Sequence, residues 1–186
     1  MCTTEGRYSP SDISTRPDVS YALSVTSRYQ SDPGESHWTA VKNILKYLRR
    51  TGYTDASFQT DKDDSKSQSS YVFTINGGAV SWKSSKQETV ADSTTEAEYI
   101  AASEAAKEGV WISKFFIEFG VFPNASSPLD LYCDNSGAIA QAKEPRNHKK
   151  SKHVMRRFHL IDRDKIKICK IHMDLDISDP LTKHLP

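Results

Sequence analysis

Cysteine is scarce in this chain of 186 residues: Cys2, Cys133 and Cys169 are an odd number, and no two form a CxxC pair. That argues against a disulfide framework and points to a reducing, intracellular setting, cytoplasmic or nuclear. Long apolar runs are absent too. Hydrophobic residues make up 37% of the chain and no stretch is long enough to span a bilayer. No charged-then-apolar signal segment opens it, so neither membrane nor secretion is expected. Nor is there a large net charge of one sign, the total being +1. The balance is uneven along the chain, however. Between Gln141 and Lys170 eleven Lys or Arg face three Asp or Glu, a local excess of eight, so the remainder carries seven negative charges. A basic segment beside an acidic remainder suits an enzyme working on a polyanion, and equally an ordinary solvated helix-and-loop region.

The length allows one ordinary domain with a real core, plus an appendage. Pro17 stands where a first-turn proline would, with Tyr21, Ala22, Val25, Arg28 and Tyr29 following at helical spacing. Asp32-Pro33-Gly34-Glu35 reads as the N-cap, first-turn proline and glutamate of a second helix bearing Trp38, Val41, Ile44, Leu45 and Leu48. From Gly52 the pattern becomes that of strands, at residues 53–57, 71–75 and 79–82, with Asn76-Gly77 a hairpin signal. Ser93-Thr94-Thr95-Glu96 opens a long helix as a capping box, with Glu96 reaching back to the backbone of Ser93. A strand at 129–133, a short helix through Asn135-Ser136-Gly137, a basic helical segment near 152–165, a strand at 166–173 and a helix start at Asp179-Pro180 complete the order. Three hairpin-linked strands followed by a β-α-β section predict an α/β fold, a five-stranded mixed sheet flanked by helices and preceded by two N-terminal helices. Trp38, Trp82 and Trp111 stand at positions compatible with the core.

Four acids fall where a strand ends or a helix begins: Asp55, Glu98, Asp134 and Asp179. Carboxylates so placed can converge at the carboxyl edge of a sheet and form a divalent-metal site. At roughly 4 Å and an effective dielectric near 20, each like-charge pair costs about 4 kcal/mol, so the cluster needs cations or raised pKa values. Stepping from Glu98 by fours and threes gives Ala102, Ala105, Gly109, Ile112, Phe116 and Phe119, a stripe with no other acid. Glu96 lies roughly 200° round the helix from Glu98 and already has work as a cap. Taken alone, three of the four acids have bland roles open: a first-turn acid for Glu98, an N-cap for Asp134, an N-cap before proline for Asp179. His148, His153 and His159 match no zinc spacing.

The ordered motifs carry a resemblance. They are Thr15-Arg16-Pro17-Asp18-Val19-Ser20-Tyr21-Ala22, His37-Trp38, Leu45-Lys46-Tyr47-Leu48-Arg49, Gly52-Tyr53-Thr54-Asp55-Ala56 and Gly77-Gly78-Ala79-Val80-Ser81-Trp82-Lys83-Ser84. Ser93-Thr94-Thr95-Glu96-Ala97-Glu98-Tyr99, Tyr132-Cys133-Asp134-Asn135, Lys152-His153 and Asp179-Pro180-Leu181-Thr182-Lys183 continue them. In these the chain resembles the ribonuclease H domain of copia-type retrotransposon Pol polyproteins, with the reverse transcriptase tail that precedes it. The resemblance implies a ribonuclease-H-like sheet over residues 51–186 and a helical reverse-transcriptase remnant over residues 1–50. It implies two Mg²⁺ ions, with Mn²⁺ as a substitute, held by Asp55, Glu98, Asp134 and Asp179, and cleavage of the RNA strand of an RNA–DNA hybrid. Lys149, Lys150, Lys152, Arg156 and Arg157 are expected to face the hybrid's phosphates.

Departures from the family pattern favour an alternative, an inactive element fragment that at most binds nucleic acid. Arg49-Arg50-Thr51-Gly52 replaces a longer connector, so the first strand is expected to start almost at its catalytic end. Ser70 stands where the family has glycine, and Gly109 interrupts the long helix at a cost of about 1 kcal/mol against alanine. The paired aspartates of a polymerase palm are absent, which removes polymerase activity.

Overall fold

The computed structural model describes residues 17–47, 50–61, 63–121, 128–143 and 165–183. Five strands, β1 (Arg50–Ser57), β2 (Gln68–Ile75), β3 (Gly78–Lys86), β4 (Leu129–Cys133) and β5 (Ile166–Lys170), form one sheet in the order β3-β2-β1-β4-β5. The first three are antiparallel neighbours, while β4 runs parallel to β1 and β5 to β4. The mixed sheet expected from the element order is the one observed. Asn76 (φ 49°) and Gly77 (φ 83°) are both left-handed, as a two-residue Asn-Gly hairpin requires.

The first strand corrects one expectation. β1 begins at Arg50 and pairs with β2 along its whole length, from Arg50 opposite Ile75 to Ser57 opposite Gln68. Arg50 and Thr51 supply the start of the strand despite the short connector. The Thr51 hydroxyl meets that of Thr74 at 2.6 Å, and Thr51 also stands opposite Asp130 on β4. Asp55 therefore lies well inside a fully paired strand.

Helix α3 (Thr94–Glu118) links β3 to β4 and lies against β1, β2, β4 and β5. Its inward stripe buries Glu98, Ala102, Ala105, Gly109, Ile112 and Phe116. The core beneath holds Phe73, Ile100, Leu131, Cys133 and Ile166. Phe73 fills the space between a strand glycine and a helix glycine. A Cβ at Gly52 would stand 2.5 Å from Phe73 Cε1, and one at Gly109 2.8 Å from Ile166 Cδ1 and 3.3 Å from Phe73 Cε1. The mid-helix glycine thus sets how closely α3 approaches the sheet. Gly109→Ala gains about 1 kcal/mol of helix propensity, but overpacking costs about 1–3 kcal/mol. The variant is expected to melt below the wild type; a higher midpoint would show that the sheet tolerates the methyl group.

Two helices precede the sheet, α1 (Pro17–Ser27) and α2 (Glu35–Tyr47). Asp32 does not cap α2. The Gly34 carbonyl accepts from the N–H groups of His37 and Trp38 at 3.0 and 3.3 Å, and its N–H donates to His37 Nδ1 at 3.1 Å. Helix α2 meets the far end of α3, where Trp38 stands edge-on to Phe119 with ring centres 5.6 Å apart. The Lys42 ammonium lies 5.7 Å from the centre of the same ring. The tryptophans correct a second expectation: Trp38, Trp82 and Trp111 are 43%, 64% and 60% exposed. Trp82 is on the edge strand β3, while Trp111 stacks on Phe115 along the outer face of α3. No helix among the described residues is long and apolar enough to cross a membrane.

Candidate metal centre

Two parallel strands set the site. Thr54 on β1 is opposite Cys133, the last residue of β4, so Asp55 and Asp134 both follow that pair at the carboxyl edge. Crevices at the carboxyl ends of parallel strands are where α/β sheets bind ligands. Asp55 is buried opposite Ser70 of β2. Asp134 has no capping work to do, because Asn135 does it. Asn135 Oδ1 accepts from the Gly137 and Ala138 N–H groups at 2.9 and 3.1 Å, opening α4 (Ser136–Lys143). The N-cap reading of Asp134 is thereby overturned.

The start of α3 separates its two glutamates. Ser93 Oγ accepts from the Glu96 N–H at 3.2 Å, and Glu96 Oε2 accepts from the Asp92 N–H at 2.8 Å, one residue before the position expected for a reciprocal box. Glu98 turns to the sheet edge, where Cys133 Sγ lies 4.0 Å from its Oε2. Ligand atoms of Glu98, Cys133 and Asp134 all fall within 4.8 Å of one another.

The C-terminal segment closes the cluster through two 3-10 turns, Met173–Leu175 and Asp179–Leu181. Asp179 is the first residue of its turn and not the cap; its Oδ2 accepts from Lys183 Nζ at 2.5 Å. Thr182 donates its hydroxyl to Asp55 Oδ2 at 2.6 Å. Ser70 Oγ donates to the Ser178 carbonyl at 2.9 Å and Ser84 Oγ to that of Leu181 at 2.6 Å. The serine that departs from the family pattern is therefore a docking donor for this segment.

Burial and repulsion between carboxylates shift the titration of Glu98 and Asp55. Burial, followed by the charges of Asp55 and Asp134, pushes Glu98 up to about 9, with the Ala56 amide offsetting part of the rise. Burial also lifts Asp55; the Thr182 hydroxyl pulls it back, and Asp179 and Asp134 add to the lift. Asp55 is thus within electrostatic reach of Glu98, Asp134 and Asp179, and Glu98 within reach of Asp134. Burial and the charge of Glu98 push the Cys133 thiol up to about 12, which keeps it protonated in the metal-free protein. Beside the thiol stand carboxylate oxygens, the donors that Mg²⁺ and Mn²⁺ prefer to soft sulfur. The residues present fit a hard divalent cation.

Sequence reasoning missed Asp176, which burial pushes up to about 7 and whose Oδ1 accepts from the Ser178 N–H at 2.9 Å. The available signal was the Asp176-Ile177-Ser178 spacing of an Asx turn. Lys149, Lys150, Lys152, Arg156, Arg157, His148, His153 and His159 lie outside the described residues.

The fold matches LC11-RNase H1, solved in complex with an RNA/DNA hybrid, at a TM-score of 0.52 and 14% identity, covering 72% of this chain and 93% of that one. The architecture is therefore ribonuclease-H-like. No family model matches the sequence. The retrovirus-related Pol polyprotein from transposon TNT 1-94 of Nicotiana tabacum is 41% identical over 193 residues, a match spanning 94% of this chain but 14% of that polyprotein. Secreted RxLR effector protein 161 of Plasmopara viticola is 44% identical over 117 residues, 54% of this chain and 82% of that protein. The chain belongs to the retrovirus-related Pol polyproteins of copia-type transposons.

Proposed function

We propose that the chain hydrolyses the RNA strand of RNA–DNA hybrids in a metal-dependent reaction, as the ribonuclease H part of a retrotransposon Pol polyprotein. The observation that carries this reading is that Asp55, in a ribonuclease-H-like sheet, lies within electrostatic reach of Glu98, Asp134 and Asp179. These four acids would hold two Mg²⁺ ions, or Mn²⁺ in their place. When bound, such ions activate the attacking water and stabilise the leaving 3′ oxygen. The chain's own residues fix the geometry. Thr182 orients Asp55 by donating to its Oδ2, and Ser70 and Ser84 seat the turn that bears Asp179. Lys149, Lys150, Lys152, Arg156 and Arg157 neutralise phosphates of the hybrid, the main source of non-specific affinity. Residues 1–50 belong to the reverse transcriptase portion of the polyprotein and residues 51–186 to the nuclease domain.

A second reading, an inactive fragment that at most binds nucleic acid, is favoured by the Lys183 ammonium 2.5 Å from Asp179 Oδ2, where it holds one of the four carboxylates. A labelled RNA–DNA hybrid incubated with Mg²⁺ or Mn²⁺ separates the two. The wild-type chain is expected to cut the RNA strand, and Asp55→Asn or chelation to stop it. Equal cutting by both proteins would sink the assignment, and hybrid binding without metal-dependent cutting establishes the second reading.

A further inference from the structure

A further buried carboxylate lies on the segment that Ser70 and Thr182 dock beside Asp55. Asp176 is 6% exposed, on the segment between the two 3-10 turns. Its Oδ1 accepts from both the backbone N–H and the hydroxyl of Ser178, forming the turn that delivers the Ser178 carbonyl to Ser70. Its Oδ2 is out of reach of solvent and has no hydrogen-bond partner among the described residues. An asparagine would serve this turn equally well through its single oxygen. The second oxygen is superfluous to the turn, and leaving it buried without a partner is unfavourable.

The segment is docked beside Asp55, since Ser70, which stands opposite Asp55, holds the Ser178 carbonyl. The charge of Asp176 is felt by Glu98 and by Cys133, and it feels those of Asp55 and Asp134. Asp179 differs: its carboxylate is 26% exposed and already held by Lys183. Asp179 thus presents an outward, cation-paired carboxylate, and Asp176 a buried one with an unpartnered oxygen. We infer that Asp176 is a fifth acid of the metal centre, its Oδ2 receiving the divalent cation or a water that the cation carries. This inference rests on the proposed metal-dependent reading of the same site.

Mn²⁺ titration by calorimetry, without nucleic acid, tests it on four proteins: wild type, Asp55→Asn, Asp176→Asn and Ser178→Ala. Asp176→Asn keeps the acceptor for Ser178 and is expected to bind Mn²⁺ about tenfold more weakly or worse. Ser178→Ala cuts the hydroxyl's bond to the turn, leaves the carboxylate in place and is expected to bind as wild type. If Asp55→Asn loses affinity while Asp176→Asn does not, this inference falls and the proposed centre stands. If neither loses affinity, both fall. If Ser178→Ala loses as much as Asp176→Asn, the role of Asp176 is structural and the inference also falls. Should Asp176→Asn fail to fold by circular dichroism, wild-type protein labelled with ¹³C at its aspartate carboxyls decides the matter. Substoichiometric Mn²⁺ is then expected to broaden the Asp176 signal along with that of Asp55, and an unbroadened Asp176 signal overturns the assignment.

Discussion

Metal-free protein is expected to melt at progressively lower temperature as the pH rises from about 5 to about 9. The usual carboxylate-rich chain does the reverse and fails in acid. The sign follows from Glu98, pushed up to about 9 in the folded chain from an ordinary 4.5. Between those values the folded protein holds a proton that the unfolded chain has released. The stability this contributes is fully present below the unfolded value and is lost as the pH climbs through the folded one. Asp176, raised from 3.8 to about 7, acts in the same direction over a lower window. Each tenfold difference in proton affinity between the folded and unfolded chain is worth about 1.4 kcal/mol, so the combined loss is several kcal/mol. That corresponds to a fall on the order of 10 °C for a domain of this size. Mg²⁺ opposes the fall by taking the place of the protons, and at about 100 times its dissociation constant it adds about 2.7 kcal/mol. Thermal melts across this range in EDTA and in Mg²⁺ check the prediction. Stability that rises with pH in EDTA would mean that the acids are not crowded together as described.

How much of this was legible in the sequence depended on whether the controlling contacts were local. The Asn76-Gly77 turn, the cap at Ser93 and the inward stripe of α3 from Glu98 to Phe116 are set within one or two turns of chain, and they read correctly. The start of β1 was misjudged because what makes Arg50 and Thr51 a strand is pairing with Ile75 and Thr74, far along the chain. Gly109 looked like a defect by helix propensity, and the side chains that require it, Phe73 and Ile166, come from two different strands.

Asp176 was hidden for a sharper reason: its neighbours invert the hydropathy rule. Leu175 and Ile177 are 62% and 47% exposed while the acid between them is buried. A reading that puts apolar residues inside and acids outside fails at this segment. The orientation is imposed by the Ser178 turn and by Ser70, whose hydroxyl holds the turn onto β2. A departure from the family pattern and a buried acid thus belong to one arrangement, in which Ser70 seats the segment that brings Asp176 in.

Glu98→Gln is expected to strengthen the fold while removing the chemistry. In metal-free protein at neutral pH Glu98 is held protonated, and a carboxamide has nearly the shape of that neutral acid. The variant is spared the cost of keeping the proton. Its melting temperature should exceed the wild type's by an amount that grows with pH, reaching several kcal/mol near pH 9 and shrinking towards pH 5. The same substitution removes an anionic ligand. The Mg²⁺-induced rise in melting temperature should largely vanish, and hybrid cleavage should fall by about a thousandfold, the equivalent of several kcal/mol of transition-state stabilisation. Glu96→Gln is the comparison that gives the result meaning. That residue is equally buried and lies on the same helical turn, but its oxygen accepts from the Asp92 N–H, which a glutamine oxygen can also do. Its loss of stability should stay within about 1 kcal/mol, and both cleavage and the Mg²⁺ response should survive. Opposite movements of stability and activity at position 98, with neither at position 96, are the signature of a carboxylate kept at the sheet edge for a cation. If both variants lose stability alike and keep the Mg²⁺ response, Glu98 is a structural acid and the centre must be built from the remaining carboxylates.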